Sequence, residues 1–157
     1  MRAALICVGK LKEKYWRDAV EEYLKRLTRY GQVEVIEVPD APEPAHPSPG
    51  ANAQVLQTEG ERILGKIKPD DYVIALAIDG KTYTSESFSE HMEQVTQRGR
   101  VVFLIGGSLG LSPQVYQRAN ERISFSKFTF PHQMMRVIFL EQLYRACRIS
   151  ANEPYHK

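Results

Sequence analysis

The feature that most constrains the fold is a regular alternation of short apolar runs with longer segments of helical periodicity. Five runs have the length and composition of strands: RAALICVG, QVEVIEVPD, DYVIALAIDG, VVFLIGGSLG and ISFSKFTFP. Between and after them lie segments such as YWRDAVEEYLKRLTRY, whose apolar residues recur every three or four positions. Strands and helices that alternate with short connections form a mostly parallel sheet with helices on both faces. The sequence therefore predicts an α/β fold, organised as a single domain over residues 1–157.

Glycine, proline and serine mark the expected ends of several elements. Residues 41–54, APEPAHPSPGANAQ, contain four prolines and predict an exposed loop, after which a helix is expected over Ala53–Ile67. Ser85 or Ser87 is the expected N-cap of the next helix, and Asp79-Gly80-Lys81 is the expected turn before it. The last strand is expected to run through ISFSKFTFP, and its proline is expected to begin the last helix.

Composition and charge narrow the classes of protein that fit the chain. No apolar run is long enough to cross a bilayer and the N-terminal residues lack a cleavage signal, so we expect a cytoplasmic protein without membrane contact. Cys7 and Cys147 lie in apolar patterns without metal-ligand spacing, which predicts buried packing residues and no metal site. A formal net charge of +2 is small for a domain that binds a long nucleic acid by charge alone.

A glycine-rich loop follows the fourth apolar run, in VVFLIGGSLGLSP at residues 101–113. A loop of this kind between a strand and a helix presents backbone N–H groups to a ligand, although glycines also suit a tight turn that binds nothing. The dinucleotide motif G-x-G-x-x-G requires glycine where this chain has Ile105, and no Lys-Ser or Lys-Thr follows the glycines as in nucleoside triphosphate loops. Neither nucleotide-binding motif is therefore complete.

The last helical segment, HQMMRVIFLEQLYRACRI, is apolar around most of its circumference. Such a helix needs cover on two sides, which the sheet and a second subunit related by two-fold symmetry would provide. Arg136 shares its apolar stripe with Leu140, Leu143 and Cys147, so the guanidinium requires an anionic or carbonyl partner. A structural ion pair and a functional role are both open for Arg136.

Three further residues carry side chains that suit a functional site. Tyr155 and His156 lie in the C-terminal SANEPYHK, where a tyrosine can stack on a base and a histidine can exchange a proton near neutral pH. A frayed tail is the simpler expectation for this segment. His132 follows Pro131 and is placed either to donate to a ligand at the sheet edge or to serve a structural purpose.

Several segments taken together resemble one known family: EGERIL, IALAIDGK, TSESF, VVFLIGGSLGLS, TFPHQMMRVIFLEQLYRA and NEPYHK. They are similar to the small SPOUT-class methyltransferases and, more narrowly, to the ribosomal RNA large subunit methyltransferase H family, which methylates ring nitrogen 3 of a pseudouridine in 23S ribosomal RNA. The similarity extends from LICVGKLK to the final YHK. One departure is the proline-rich stretch at residues 41–54, where the family typically has a charged segment.

The resemblance implies a SPOUT fold, in which the C-terminal elements thread through a loop to form a trefoil knot, and a homodimer with the knots at its interface. It implies S-adenosylmethionine as the cofactor, bound by the residues that match the family's binding positions: Leu76, Gly107, Ser126, Lys127, Phe128, Thr129, Phe130 and Pro131. The candidates for catalysis are Arg136, Tyr155 and His156, with His132 in addition.

The implied reaction is transfer of a methyl group to N3 of pseudouridine, a weakly acidic imide nitrogen that must lose its proton. Arg136 would support either the imide anion or the RNA backbone, while Tyr155 and His156, reaching across the dimer, would hold the base or relay the proton. The modest charge and the lack of an RNA-binding module favour the assembled ribosome over free RNA as the substrate. A nucleotide-binding α/β protein and a non-catalytic ribosome-binding factor are the alternatives.

Overall fold

The computed structural model describes residues 1–157 and contains one sheet of five strands. All four neighbouring pairs of strands are parallel, and the strand order is β2-β1-β4-β3-β5. The strands are β1 (Arg2–Val8), β2 (Gln32–Val38), β3 (Tyr72–Thr82), β4 (Arg100–Ile105) and β5 (Glu121–Ser124). The helices are α1 (Lys14–Leu27), α2 (Pro49–Leu64), α3 (Ser85–Thr96), α4 (Pro113–Arg118) and α5 (His132–Ser150). The predicted alternation of five strands with five helices is confirmed.

The two faces of the sheet carry different sets of helices. Alternate side chains of β1 and β4, such as Leu5 and Phe103, pack under α1, α3 and α5 in the larger apolar cluster. Their neighbours, such as Ile6 and Leu104, pack under α2 and α4 in the smaller cluster. Successive strand residues point to opposite faces, so a strand covered on both sides must be apolar at every position. The sequence RAALICV of β1 meets this requirement, because its last six residues are all buried.

Helix α2 begins earlier than the sequence predicts. The expected start at Ala53 is wrong, since the helix already begins at Pro49 inside the proline-rich segment, residues 41–54. Ser48 is the N-cap, and its hydroxyl oxygen accepts a hydrogen bond from the Ala51 N–H at 3.1 Å. Proline suits the first helical turn because its missing N–H would have no partner there. The four prolines predicted a loop throughout this segment, whereas the last of them is the first residue of a helix.

The end of β3 and the start of α3 also differ from the boundaries that the sequence predicts. The N-cap of α3 is Thr84, whose hydroxyl oxygen accepts from the Ser87 N–H at 3.0 Å, whereas Ser85 or Ser87 was the expected cap. The Ser87 hydroxyl oxygen in turn accepts from the Thr84 N–H, which completes a capping box. Asp79-Gly80-Lys81 lies within β3 and is not a simple turn. The register of β3 against β5 shifts between Leu76 and Lys81, so the residues between them bulge out of the ladder.

The last strand is shorter than ISFSKFTFP. β5 ends at Ser124, and residues 125–131 form a loop that leads to α5, which begins after Pro131 as expected. Side chains turn the backbone locally: the Ser124 hydroxyl donates to the Ser126 carbonyl at 2.9 Å, and the Ser126 hydroxyl oxygen accepts from the Phe128 N–H at 3.0 Å. The alternating pattern of this stretch thus belongs to a loop beyond the sheet.

The two cysteines are free thiols that serve as packing residues. Cys7 is fully buried in β1, and burial raises the pKa of its thiol to about 12. Cys147 is half-buried on α5, and burial raises the pKa of its thiol to about 11. Separately, none of the five helices combines the length and the apolar character needed to cross a bilayer.

Candidate functional site

A cleft opens where the carboxyl ends of β3 and β4 meet the loop before α5. Its volume is about 560 Å³, within the range of small-molecule sites in proteins. Parallel sheets bind ligands beyond the carboxyl ends of their strands, and this cleft has that position. Backbone and side chains from three segments line it: Leu76–Asp79 of β3, 105–111 after β4, and Thr129–His132 with Met135 at the start of α5.

The glycine-rich loop is both a tight turn and a wall of this cleft. Gly107 and Gly110 form an isolated antiparallel bridge, in which the Gly110 N–H donates to the Gly107 carbonyl at 3.0 Å. Gly110 has a φ of +85°, a conformation that favours glycine. A Cβ on Gly106 would collide with the Gly110 backbone, and one on Gly107 would lie 3.2 Å from the Val8 side chain. The tight turn is therefore present and lines the cleft, while binding of a ligand by this loop stays a prediction.

Residues 125–131 form the opposite wall and leave apolar side chains unburied. Phe128 is 79% exposed, Ile78 across the opening is 55% exposed, and Phe130 is 36% exposed. A second cavity of about 120 Å³ lies under the same residues and continues inward to Ile123 and Phe125. Exposed apolar groups at the mouth of a cavity are typical of a surface that binds a ligand or another protein chain.

The residues that the resemblance proposes for the cofactor converge on these two cavities. Seven of the eight line one or both of them: Leu76, Gly107, Ser126, Phe128, Thr129, Phe130 and Pro131. Lys127 lies in the same loop and lines neither cavity. Positions that are more than fifty residues apart in sequence therefore meet at one site, although their contact with a cofactor stays a prediction.

His132 is one of three titratable residues that line the cleft, the others being Asp79 and Tyr116. Its ring lines the cavity at the first residue of α5. Burial, and then the positive charge of Arg136, lower the pKa of its imidazole below the usual value of 6.5. His132 is therefore neutral at pH 7, and one ring nitrogen is available as an acceptor. No group of three or more His, Cys, Asp or Glu side chains is arranged to hold a metal ion.

Glu59 is a functional candidate that the sequence did not single out. It lies on α2, is 5% exposed, and accepts a hydrogen bond from the Ala41 N–H at 3.0 Å. A Cβ built on Gly107 would lie 3.3 Å from the Glu59 carboxylate, so this carboxylate lies behind the glycine-rich loop. Burial raises the pKa of Glu59, and the neighbouring Asp40 and Glu43 add to the effect. The sequence signal that could have identified Glu59 is its position in an otherwise apolar stripe of the helix.

Arg136 has both an anionic partner and carbonyl partners, as its position in an apolar stripe requires. Its guanidinium donates to the Glu37 carboxylate at 2.7 Å and to the Val8 and Gly9 carbonyls at 3.2 and 2.8 Å. The residue is 1% exposed, and its Nε–H has no partner. These contacts connect α5 to the ends of β1 and β2. A contact between Arg136 and a substrate stays a prediction.

The C-terminal tail is folded back on α5 instead of fraying. The Tyr155 hydroxyl donates to Glu141 at 3.0 Å, and the His156 ring is 2.8 Å from Glu86 and 3.2 Å from Arg145. The Tyr155 ring also packs edge-on against Tyr144, with 5.0 Å between centroids. Burial raises the pKa of the Tyr155 hydroxyl. The tail residues are therefore brought together with each other and with α3.

The tail and the cleft lie at opposite ends of α5 within one chain. His132 lines the cleft, and Arg145, which contacts the tail, is thirteen residues further along the helix. At 1.5 Å per residue this separation is about 20 Å. Tyr155 and His156 consequently do not share a site with the cleft of their own chain.

Comparison with known proteins identifies the class first. The chain belongs to the SPOUT methyltransferase family, because the family model described as predicted SPOUT methyltransferase matches residues 1–156. A solved structure of a probable methylase family protein from Haemophilus influenzae aligns over 99% of this chain and 70% of its own, with a TM-score of 0.53 at 14% identity. This likeness supports the fold, and the predicted SPOUT fold is confirmed.

Relatives with higher sequence identity indicate which group of SPOUT methyltransferases the chain resembles. The chain is 54% identical to the ribosomal RNA large subunit methyltransferase H of Bifidobacterium animalis subsp. lactis and of Exiguobacterium sibiricum, with complete coverage of both sequences in each case. It is 51% identical, again over both full lengths, to the protein of the same name from Enterococcus faecalis. The expected resemblance is confirmed, and the protein is a methyltransferase.

Proposed function

We propose that this methyltransferase transfers the methyl group of S-adenosylmethionine to N3 of a pseudouridine in the large-subunit ribosomal RNA. The names of the full-length relatives support the RNA substrate, and the family resemblance of the sequence supports the target atom. The observation that carries the proposal is the cleft itself, where a glycine backbone faces three exposed apolar side chains. A ribosomal substrate places the activity in the cytoplasm.

The residues around the cleft fit this cofactor in shape and polarity. Ile78, Phe128 and Phe130 offer apolar surface to a planar adenine, as the exposed aromatic and aliphatic groups of such sites do. Gly107 lines the cleft with its backbone, and glycine is needed there because a Cβ would press on Val8 and Glu59 behind the loop. Leu76, Thr129 and Pro131 would complete the wall, with backbone groups of Ser126 and Lys127 next to them.

The bound cofactor supplies a methyl group already activated on a sulfonium, so the chain has to position the acceptor and manage one proton. His132 lines the cleft in its neutral form and has a ring nitrogen free to accept the imide proton. The loop at residues 125–131 forms one side of the cleft.

Two copies of the chain form the complete site in this proposal. Glu141 and Arg145, which contact Tyr155 and His156, lie nine and thirteen residues along α5 from His132, about 14 and 20 Å, so the tail that reaches the cleft is that of a second copy. The side chains of α5 support a homodimer, since Met134, Val137 and Ile138 are left half-buried by their own chain. The partner's tail would then hold the base or relay the proton, and Arg136 would act by keeping α5 in place.

Transfer of labelled methyl groups tests this function directly. Purified protein is incubated with radiolabelled S-adenosylmethionine and three acceptors: whole ribosomes lacking the modification, isolated large subunits, and protein-free ribosomal RNA. We expect label in pseudouridine from whole ribosomes, because a small domain of net charge +2 needs a preformed surface to recognise.

The outcomes separate the competing functions. No label on any acceptor, with folded protein and measured binding of S-adenosylmethionine, would overturn the choice of substrate. Ribosome binding without affinity for S-adenosylmethionine would favour the non-catalytic ribosome-binding factor. Thermal protection by NADH or ATP, but not by S-adenosylmethionine, would favour a nucleotide-binding protein.

A further inference from the structure

The connection between β1 and α1 begins next to the cleft. Val8, the last residue of β1, lies 3.2 Å from the position of a Cβ on Gly107, in the wall of the cleft. The chain then turns at Gly9, which has a φ of +89°, and runs through GKLKEKYWR into α1. The stretch from Lys10 to Arg17 therefore begins two residues after Val8, which packs behind the glycine-rich wall of the cleft.

Several hydrogen bonds hold this connection in one conformation. The Arg136 guanidinium donates to the Gly9 carbonyl at 2.8 Å, and the Glu37 carboxylate accepts from the Leu11 N–H at 3.1 Å. The Arg17 guanidinium donates to the carbonyls of Leu11 and Lys12 at 3.1 and 2.6 Å. Backbone groups are thus bound to side chains from β2, α1 and α5, and the exposed side chains project from a fixed base.

This connection carries a local excess of positive charge. Lys10–Arg17 contains four basic residues and one acidic residue, a net charge of +3, whereas the whole chain has a net charge of +2. Lys14 is paired with Asp18 at 2.6 Å, and Arg17 is bound to backbone carbonyls. Lys10 and Lys12 are exposed and take part in no ion pair, so their ammonium groups are available to a phosphate.

An unburied aromatic ring accompanies these two lysines. Tyr15 is 64% exposed, and its ring packs edge-on against Trp16, with 5.1 Å between centroids. An edge-on neighbour fixes the ring while leaving a face open. Ammonium groups beside an open aromatic face are the combination that binds unstacked RNA, since the lysines meet phosphates and the ring stacks on a base.

We propose that Lys10, Lys12 and Tyr15, here called the β1–α1 surface, bind ribosomal RNA next to the target nucleotide. This inference rests on the proposed function and extends it, because it assigns an RNA contact to residues outside the cleft. Lys10 and Lys12 bind backbone phosphates, and Tyr15 stacks on a base exposed in a loop. The surface orients the RNA so that the target base enters the cleft past Gly107.

Steady-state methylation of ribosomes lacking the modification tests the surface with two variants. In Lys10→Ala/Lys12→Ala, we expect KM for ribosomes to rise and the dependence of log KM on log salt concentration to weaken by about one unit per phosphate contact removed. In Tyr15→Ala, we expect KM to rise roughly tenfold, the effect of losing one stacked base. Since neither variant touches the cleft, kcat and the affinity for S-adenosylmethionine stay at the parent values.

Matched variants serve as controls. Lys25→Ala/Lys66→Ala removes two exposed lysines that lie in no ion pair, at the other end of α1 and beyond the end of α2. This double variant should keep the KM and the salt dependence of the parent. Tyr15→Phe keeps the ring and should restore the KM that Tyr15→Ala loses.

The result is decisive in each direction. If the parent methylates ribosomes and the β1–α1 variants behave like the lysine control, the inference is wrong while the proposed function stands. If light scattering shows that these variants change the oligomeric state, the surface is a protein interface and the inference is also overturned. If the parent transfers no methyl group at all, the proposed function is wrong, and the inference that rests on it is wrong as well.

Discussion

Arg136 is a charged side chain that the fold encloses almost completely. Its place in an apolar stripe of α5 indicated that a partner was needed, and the structure supplies Glu37, Val8 and Gly9. The identity of these partners was beyond prediction from one sequence, because Glu37 lies ninety-nine residues away and is brought close only by the sheet. The same reasoning applies to Glu59, whose burial depends on the proline-rich segment folding over it.

Replacing Arg136 tests whether the side chain is mainly structural. In Arg136→Met the Glu37 carboxylate and two carbonyls lose their donors, so we expect the free energy of unfolding to fall by about 3 kcal/mol. Urea denaturation at fixed protein concentration measures the loss. Lys14→Met, which breaks an exposed pair with Asp18, is the control and should cost about 0.5 kcal/mol. Parent-like stability with abolished methyl transfer would instead support a contact between Arg136 and the substrate.

His132 gives the stability of the protein a specific dependence on pH. Burial lowers the pKa of its imidazole in the folded state below the value in the unfolded chain. The unfolded chain therefore binds the proton first as the pH falls below about 6.5, and the folded state loses stability in that range. The stability contributed by the neutral imidazole is present above that pH and is lost below it.

Comparison of His132→Gln with the parent isolates this effect. We expect the parent to lose more stability than the variant between pH 8 and pH 5.5, measured by urea denaturation at both values. Contributions from Glu59 and other groups cancel, since both proteins contain them. His46→Gln removes an exposed imidazole of the proline-rich segment and should follow the parent. Equal pH dependence in parent and His132→Gln would contradict the assignment.

At the scale of elements, hydrophobic patterns together with helix-cap signals predicted every strand and helix, whereas several ends were missed. A helix end depends on which hydroxyl reaches which N–H, and Thr84, Ser85 and Ser87 are chemically equivalent candidates until the backbone is known. β5 ends at Ser124 because no neighbouring strand continues beyond it and serine side chains bind the backbone of the loop. The apolar residues that follow line the cleft. Their alternating pattern is typical of a strand, although they form a loop.

Helix α2 offers two glycines whose replacement should have opposite effects. A Cβ on Gly60 would collide with the Ser112 hydroxyl and press on Val115 at 3.3 Å, where α2 packs on the start of α4. Gly60→Ala should lower the free energy of unfolding by about 1–3 kcal/mol, the usual cost of overpacking. A Cβ on Gly50 would meet nothing within 4 Å, so Gly50→Ala should be neutral or stabilise by up to about 1 kcal/mol. Thermal unfolding of the two variants checks the difference, and a stable Gly60→Ala would show that α4 moves aside.

At the scale of the whole molecule, the sheet order decides which residues become neighbours. β4 lies between β1 and β3, which brings Val8, Leu76 and Gly107 to one edge although they are distant in sequence. Periodicity predicts a parallel sheet but not its strand order. Residue patterns therefore identified the glycine-rich loop but not the residues that surround it in the fold. The cofactor residues came from family resemblance, and their convergence at one cleft is a property of the folded chain.

Mixing two inactive variants tests the shared site of the proposed homodimer. One variant is Gly107→Asp, whose side chain would press on Val8 and on the Glu59 carboxylate and so distort the glycine-rich wall of the cleft, and the other is the double variant Tyr155→Ala/His156→Ala. Each alone should lack methyl transfer, while an equimolar mixture after subunit exchange should recover about one quarter of the parent activity, since half of the dimers contain one intact site. If the tail instead acts on its own chain, no combination of subunits would restore activity.

Both thiols described above are protonated at neutral pH. With pKa values of about 12 for Cys7 and about 11 for Cys147, the nucleophilic thiolate is scarce, and burial also limits access. Maleimide reagents should therefore leave the native chain almost unlabelled. An Ala45→Cys substitution in the exposed proline-rich segment would accept a fluorophore selectively. Because Glu43 of that segment bonds Ser108 of the glycine-rich loop, the dye would report changes at the cleft in real time.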